Sequence, residues 1–317
     1  MTSTDTPREI DVAIIGGGPA GLSAGLYAAR ALRSTVLFEG GVLGGQISTS
    51  DRVENYPAFP DGVGGFDLAM AMHQQSERFG METVYARVTS LKVRDDHRFD
   101  LVTDGGGDFI AKTVIVTAGA DPNKLGVPGE IELTGKGVSY CATCDAAFFK
   151  GDEVAVVGGG DAAVEEGVFT TRYASKVTLI HRRDELRASA VLQERARNTP
   201  NMEFLWDTVI EKINGDAEGK AVESVTVRNV KTGQVRDIPL KAVFIFIGQT
   251  PNTNLVEGLV PLDGGGHACV NAWMETPTPG LFVAGDVRSE AARQVVSSAG
   301  DGATAAIRAD HYIANHF

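Results

Sequence analysis

Cys141-Ala142-Thr143-Cys144-Asp145 is the stretch with the clearest chemistry. It lies between two glycine turns, Gly16-Gly17-Gly18-Pro19-Ala20-Gly21 and Gly158-Gly159-Gly160-Asp161-Ala162-Ala163. A Cys-x-x-Cys pair can hold a metal, sit inert in a core, or cycle between disulfide and dithiol. Zinc calls for four ligands. The third cysteine, Cys269, lies far along the chain in a glycine-rich segment and reads as a bystander, so no metal site is expected. A pair beside a β-α-β unit favours redox work. Thiolate chemistry needs a proton donor and acceptor, and Asp145 directly follows Cys144. Its carboxyl can serve as general acid and base, or cap a turn.

The first glycine turn reads as a nucleotide site. Glu9 to Ile15 is an apolar strand, Pro19 to Leu32 a helix, and Ser34 to Phe38 a second strand ending at Glu39. Gly16 makes the tight turn, Gly18 admits a pyrophosphate and Gly21 lets the helix pack on the strand. The helix N-terminus offers free N–H groups to phosphate. Glu39, 23 residues after Gly16, is placed to bind ribose hydroxyls. The same grammar recurs in Glu153 to Val157, Asp161 to Tyr173 and Lys176 to Ile180. Here the place of the acid is taken by His181, followed by Arg182, Arg183 and Arg187. An acid would repel a 2′-phosphate, whereas guanidinium groups bind it. This argues for NADPH over NADH. A solvated basic patch is the ordinary fate of an arginine pair, but the end of a second Rossmann strand is not an ordinary place. Gly158, Gly160, Asp161, Ala162 and Ala163 complete the expected NADPH site.

A third element, Gly285-Asp286, follows the strand Leu281 to Ala284 and precedes a helix over Gln294 to Tyr312. An Asp there can accept hydrogen bonds from a ribityl chain, and the helix can stabilise charge on a reduced flavin. Gly/Pro-rich segments at Ala118–Glu130 and Gly248–Asn254 mark boundaries. They follow the strands Thr113–Thr117 and Val243–Ile247. They divide the chain into a discontinuous domain, 1–119 with 248–317, and a middle domain, 120–247.

Composition narrows the setting. The chain has 317 residues, 43% hydrophobic and 22% charged, with a formal net charge of -12. A nucleic-acid partner calls for a basic surface, so none is expected. No apolar run approaches the roughly 20 residues that span a bilayer, and Met1 to Ile10 lacks the apolar core of a signal peptide. A cytoplasmic location is expected.

These motifs together resemble the low-molecular-weight, bacterial and archaeal type of thioredoxin reductase. The resemblance also rests on Gly44-Gly45-Gln46, Val53-Glu54-Asn55-Tyr56-Pro57, Thr117-Ala118-Gly119, Pro251-Asn252-Thr253 and Arg293-Gln294. It implies an α/β fold of two Rossmann-like domains, with an NADPH domain inserted into an FAD domain. It implies a homodimer, and thioredoxin or a like protein as substrate. Gly16, Gly18, Pro19, Ala20, Gly21, Glu39, Gly44, Gly45, Gln46, Asn55, Val88 and Gly119 would line the FAD site, with Gly285, Asp286, Arg293, Gln294 and Val295 closing it. Larger disulfide reductases carry their dithiol after the first β-α-β unit, and Gly40 to Ile47 has no cysteine. The related peroxide-reductase flavoprotein has an extra N-terminal domain, for which the residues before Asp11 leave no room. One position departs from the family. Ala146-Ala147 follows Asp145 where a Gly is usual, and a positive φ there would strain it.

The expected activity is NADPH-dependent reduction of a protein disulfide by way of FAD and Cys141/Cys144. Two other readings use the same parts. A flavin dithiol oxidase would pass electrons from dithiols to oxygen, but such enzymes tend to lack a nicotinamide site. A non-enzymatic flavin redox sensor would have no need of the full set. The motifs do not say which cysteine meets the flavin.

Overall fold

The computed structural model describes residues 6–317 apart from Asp51 and Glu54. Glu54 of the Val53–Pro57 stretch, and Met1 to Asp5 of the terminus weighed above as a leader, therefore lie outside the described residues. Among the described residues are six α-helices: α1 (Pro19–Arg30), α2 (Gly65–Glu77), α3 (Ala142–Asp145), α4 (Asp161–Thr170), α5 (Ala190–Arg197) and α6 (Val295–His316). None is long and apolar enough to cross a membrane.

The chain forms two compact units, Met1–Asp121 with Thr250–Phe317, and Pro122–Gln249. The strands through which the chain passes between them, Ala120–Pro122 and Gln249–Pro251, pair as a two-stranded ribbon. The second unit is thus an insertion into the first.

The first unit is built on a seven-stranded sheet. Arg8–Ile15 lies parallel to Thr35–Phe38 on one side and to Asp108–Val116 on the other. The nine-residue strand Asp108–Val116 has two partners along its far side. Its first half pairs antiparallel with Phe99–Thr103, and Val114–Val116 pairs parallel with Leu281–Val283. These strands read as near-continuous apolar runs because both faces are covered. Ala13, Ile15, Val36, Phe38, Val116 and Val283 face one core. Val12, Ile14, Leu37, Ile115 and Phe282 face the other, against α1 and α6. The two helices meet backbone to backbone: a β-carbon at Gly302 of α6 would come 1.9 Å from the carbonyl oxygen of Ala20 in α1.

The second unit repeats the plan. Its five-stranded parallel sheet runs Met202–Leu205, Lys176–Ile180, Glu153–Gly158, Ala242–Phe246, Val138–Ser139. A three-stranded antiparallel sheet, Thr208–Gly215, Val222–Asn229 and Val235–Pro239, covers part of one face and shares its apolar core. Register decides where the sites form. Ile15, Phe38 and Val116 are aligned neighbours, as are Val157, Ile180 and Ile245. Each set ends at the same sheet edge, and ligands of open parallel sheets bind outside such carboxyl ends.

Candidate functional site: two glycine turns and a disulfide

At the edge of the first sheet the glycines are dictated by close approach. Gly16 has φ +111°, and a β-carbon there would lie 2.6 Å from the Thr117 carbonyl oxygen. At Gly21 it would lie 1.9 Å from the carbonyl oxygen of Gly16. The Thr117 hydroxyl donates to that same Gly16 carbonyl at 2.8 Å. Gly18, by contrast, faces open space. As N-cap of α1 it has no side chain to occupy the helix N–H groups, and Pro19 follows it in the first turn. An open face in front of free N–H groups suits a pyrophosphate.

The acid at the end of the second strand is fixed in place. Glu39 accepts hydrogen bonds from the N–H of Gly17 at 2.7 Å and of Gly41 at 2.5 Å. Gly44 donates its N–H to the Gly17 carbonyl at 2.8 Å, and a β-carbon at Gly45 would lie 3.6 Å from Gly18 Cα. The Gly44-Gly45-Gln46 loop therefore folds over the first turn, with the Gln46 amide on the Ala120 carbonyl at 2.5 Å. Gly119 has φ +70° and an open face; its carbonyl accepts the Asn252 N–H, while the Asn252 side chain bonds the Ala118 carbonyl. Gly285 sits against Ala20, which brings Asp286 beside the start of α1. Burial raises the Asp286 carboxyl above the usual range, while a hydrogen bond from Ser298 and the charge of Arg293 oppose the rise. Asn55 donates to the Gln294 side chain at 3.0 Å, where α6 begins with a Gln294/Ser297 capping box; Val295 follows it and packs near Ile47 and Val53. Arg293 is exposed, with φ +56°. Val88 differs from the rest. Its side chain is buried in the core, so only its main chain is available to a ligand.

The second turn has the same geometry with one substitution. Gly158 has φ +150°, and a β-carbon there would meet the Phe246 carbonyl oxygen at 2.4 Å and Ala163 Cβ at 2.5 Å. Gly160 caps α4, faces open space and precedes Asp161 and Ala162. The His181 ring lies over Gly159, where a β-carbon would come 2.2 Å from it. Burial pushes the His181 ring pKa down, helped by the charges of Arg183 and Arg187, and its Nε2 is buried with no partner among the described residues. The arginine loop is tied to the turn: the N–H groups of Arg187 and Ala188 both donate to the Gly159 carbonyl. The Asp161 carboxylate accepts the Ser189 N–H at 2.6 Å and so anchors the loop. Arg182, Arg183 and Arg187 are exposed.

The two cysteines form a disulfide, Cys141–Cys144, with their Cα atoms 5.3 Å apart. Cys141 is the N-cap of the short helix α3. Ser139 organises the approach. Its hydroxyl donates to Asp145 at 2.6 Å and accepts the Cys141 N–H at 3.1 Å. Burial raises the Asp145 carboxyl, opposed by that Ser139 bond. Asp145 therefore keeps its proton to a higher pH than an ordinary aspartate, as a proton donor beside a thiol requires. Ala146 has φ -60°, and Ala147 is not among the positive-φ residues. The departure from glycine thus carries no backbone strain.

Sequence patterns did not reveal Ser139 or Ser298, and pointed to Asn252 only as part of the Pro251-Asn252-Thr253 motif. A serine two residues before a cysteine carries no signal of its own, and the Asn252 contact depends on two distant segments meeting.

The arginine loop yields a quantitative expectation. Replacing both Arg182 and Arg183 with neutral residues should lower the NADPH/NADH preference in kcat/KM at least about tenfold, since each charge-assisted contact contributes roughly 1.5–3 kcal/mol. An unchanged ratio would show that these side chains do not read the phosphate.

Comparison with known proteins agrees with this geometry. The family model described as pyridine nucleotide-disulphide oxidoreductase matches residues 10–303. A thioredoxin reductase of Bacillus subtilis is 45% identical, the match covering 96% of this chain and 94% of that protein. One from Peptoclostridium litorale is 46% identical, with 97% and 98% covered. Among solved structures, thioredoxin reductase from Streptococcus pyogenes superposes with a TM-score of 0.92 at 42% identity, covering 98% of this chain and all of that one. That of Lactococcus lactis, described as in the FR conformation, gives 0.65 at 41% identity, covering 96% and 99%. By its matched family, its full-length similarity and its paired glycine turns around a Cys-x-x-Cys disulfide, this chain belongs to the pyridine nucleotide-disulphide oxidoreductases and, within them, to the thioredoxin reductases.

Proposed function

We propose that this protein transfers the reducing equivalents of NADPH, through FAD and the Cys141–Cys144 pair, to the disulfide of thioredoxin or a thioredoxin-like protein. The observation that carries the reading is the Cys141–Cys144 disulfide with the half-buried Asp145 beside it, in a chain with two pyrophosphate-shaped turns. In net terms NADPH, one proton and a protein disulfide give NADP+ and a dithiol. Bound FAD would accept hydride from NADPH and deliver two electrons to the disulfide.

The remaining work falls to side chains of this protein. The first unit would hold FAD: α1 and Gly18 at the pyrophosphate, Glu39 at a ribose, Asp286 at the ribityl chain, with Gln46, Asn55, Gly119 and Gln294 around them. The second unit would hold NADPH: Gly158 and Gly160 at the pyrophosphate, with His181, Arg182, Arg183 and Arg187 at the 2′-phosphate. The unpartnered, neutral His181 nitrogen is suited to a ligand hydroxyl or phosphate oxygen. Once reduced, one thiolate of the pair attacks the partner disulfide and forms a mixed disulfide, which the second resolves. Asp145 would supply and recover the proton in these steps.

We further propose a homodimer located in the cytoplasm. Thiols are kept reduced there, and the resemblance implies the dimer. A single-chain mass by sedimentation would contradict the dimer, and recovery only from a secreted fraction would contradict the location.

Three outcomes test the relay. Cys141→Ser or Cys144→Ser should abolish thioredoxin reduction while flavin bleaching by NADPH persists, because hydride transfer precedes thiol chemistry. Retained turnover in either variant would refute it. Asp145→Asn should lower thioredoxin turnover by about a hundredfold or more, the usual share of general acid–base catalysis. Normal turnover would leave Asp145 a turn cap. The third concerns motion. Dithiol and nicotinamide must each reach one flavin ring. We propose that the inserted unit rotates as a rigid body about its two crossings. An engineered disulfide joining the units should block turnover and spare one half-reaction; normal turnover of the cross-linked enzyme would exclude the rotation.

A further inference from the structure

The loop proposed to read the 2′-phosphate lies beside its own competitors for that role. Asp184 directly follows Arg182 and Arg183. Asp207 lies against the same stretch, because its N–H donates to the Arg183 carbonyl at 3.1 Å. A carboxylate has the sign of charge of a phosphate. Left alone, each acid would compete for a guanidinium group or repel the ligand. In the structure neither pairs with an arginine. The Lys231 ammonium donates to Asp184 at 2.7 Å and stands 3.0 Å from an Asp207 oxygen. One cation thus engages both acids. Among the described residues, no ion pair or hydrogen bond engages the side chains of Arg182, Arg183 or Arg187. An exposed lysine–carboxylate pair adds little to fold stability, so stability is a weak reason for this arrangement.

Lys231 has a fixed base. It sits at the tip of the hairpin joining Val222–Asn229 to Val235–Pro239. The Asn229 side-chain oxygen accepts the N–H groups of Lys231 and Thr232, at 3.0 and 2.9 Å. Such an Asx turn orders the tip. Beside it, the Val230 N–H donates to the Asp207 carbonyl at 2.6 Å. The Asp207 main chain therefore joins the hairpin to the arginine loop, accepting from Val230 and donating to Arg183. It does so at φ +50°, a conformation that aspartate adopts more readily than most residues.

We propose that Lys231 is a positioning residue for NADPH specificity: it occupies the Asp184 and Asp207 carboxylates and so leaves the guanidinium groups of the loop to the 2′-phosphate. The residue acts through the arginines and need not touch the nucleotide. The inference rests on the reading of Arg182 and Arg183 as ligands of the 2′-phosphate, which replacement of those two residues tests separately.

The test uses Lys231→Met in the FAD-loaded full-length protein. Binding of NADP+ and NAD+ is titrated by calorimetry, and KM is measured for NADPH and NADH. The variant frees two carboxylates beside the arginines. NADP+ affinity should fall about three- to tenfold, with the KM for NADPH rising in step, the scale of exposed charges acting at short range. NAD+ affinity and the KM for NADH should hold, since neither nucleotide carries the 2′-phosphate. Lys231→Arg should keep the parent values. Adding Asp184→Asn and Asp207→Asn to Lys231→Met should bring NADP+ affinity back, because the competing charges are then gone. Unchanged NADP+ affinity in Lys231→Met overturns the proposal. So does an equal loss for NAD+, which marks a general lesion of the nucleotide site. Failure of the two asparagines to restore affinity overturns it as well, and reduces Lys231 to a mechanical support. If replacing Arg182 and Arg183 leaves the nicotinamide preference unchanged, the phosphate reading itself fails and this inference falls with it. If that replacement lowers the preference and Lys231→Met does not, the inference alone fails.

Discussion

Two helices in this protein have to begin almost in contact with the strand that precedes them. At Gly21 there is 1.9 Å between a hypothetical β-carbon and the Gly16 carbonyl oxygen, and at Gly158, the end of the strand before α4, there is 2.5 Å to the Cβ of Ala163 in α4. No side chain fits in either gap. The consequence is that backbone N–H groups, rather than side chains, face outward at each sheet edge. Phosphate recognition then costs no side-chain entropy, since the donors are already ordered by the helix. The same closeness recurs where α6 meets α1 at Gly302. That contact brings the strand end carrying Asp286 within reach of the first turn.

The thiol centre is governed by a different constraint. A disulfide three residues wide cannot be held by its own short helix, because α3 has only four residues. Support comes from neighbours: Ser139 in the strand before it, and the core that Ala142 and Ala146 share with Ala163 of α4. The Asp145 carboxyl at the centre is raised by burial. A low-dielectric setting disfavours nearby negative charge, which bears on thiolates as much as on carboxylates.

Much of this was legible from residue order. The two β-α-β units appear as apolar runs closing on glycines, and the acid-to-arginine replacement at the end of the second strand separates the two nucleotide sites. The elements lie within a few residues of expectation: the last helix, expected over Gln294–Tyr312, spans Val295–His316, and the one expected over Asp161–Tyr173 spans Asp161–Thr170. Such ends fray, and their limits depend on capping that sequence barely encodes. The roles of partners were less legible. Asp161 was expected in the NADPH site, and its carboxylate also accepts the Ser189 N–H. Val88, expected in the FAD site, has its side chain in the core and only its main chain to offer. In each case the deciding contact lies outside the local motif, so no spacing rule reports it. The concern over Ala146-Ala147 was a local one, and the local backbone answers it.

The insertion also imposes an order on biosynthesis. Val114–Val116 is complete early, but its parallel neighbour Leu281–Val283 is encoded more than half a chain later. A ribosome adding about 5–20 residues per second needs roughly 10–30 s to cover that interval. Throughout it, the last third of a central strand presents an open edge, the kind of surface that invites pairing with another chain. The inserted unit, made in the meantime and complete in itself, can fold before its host does. The host is thus the slower partner in assembly, and its nascent edge is the point at which a chaperone would have most to protect.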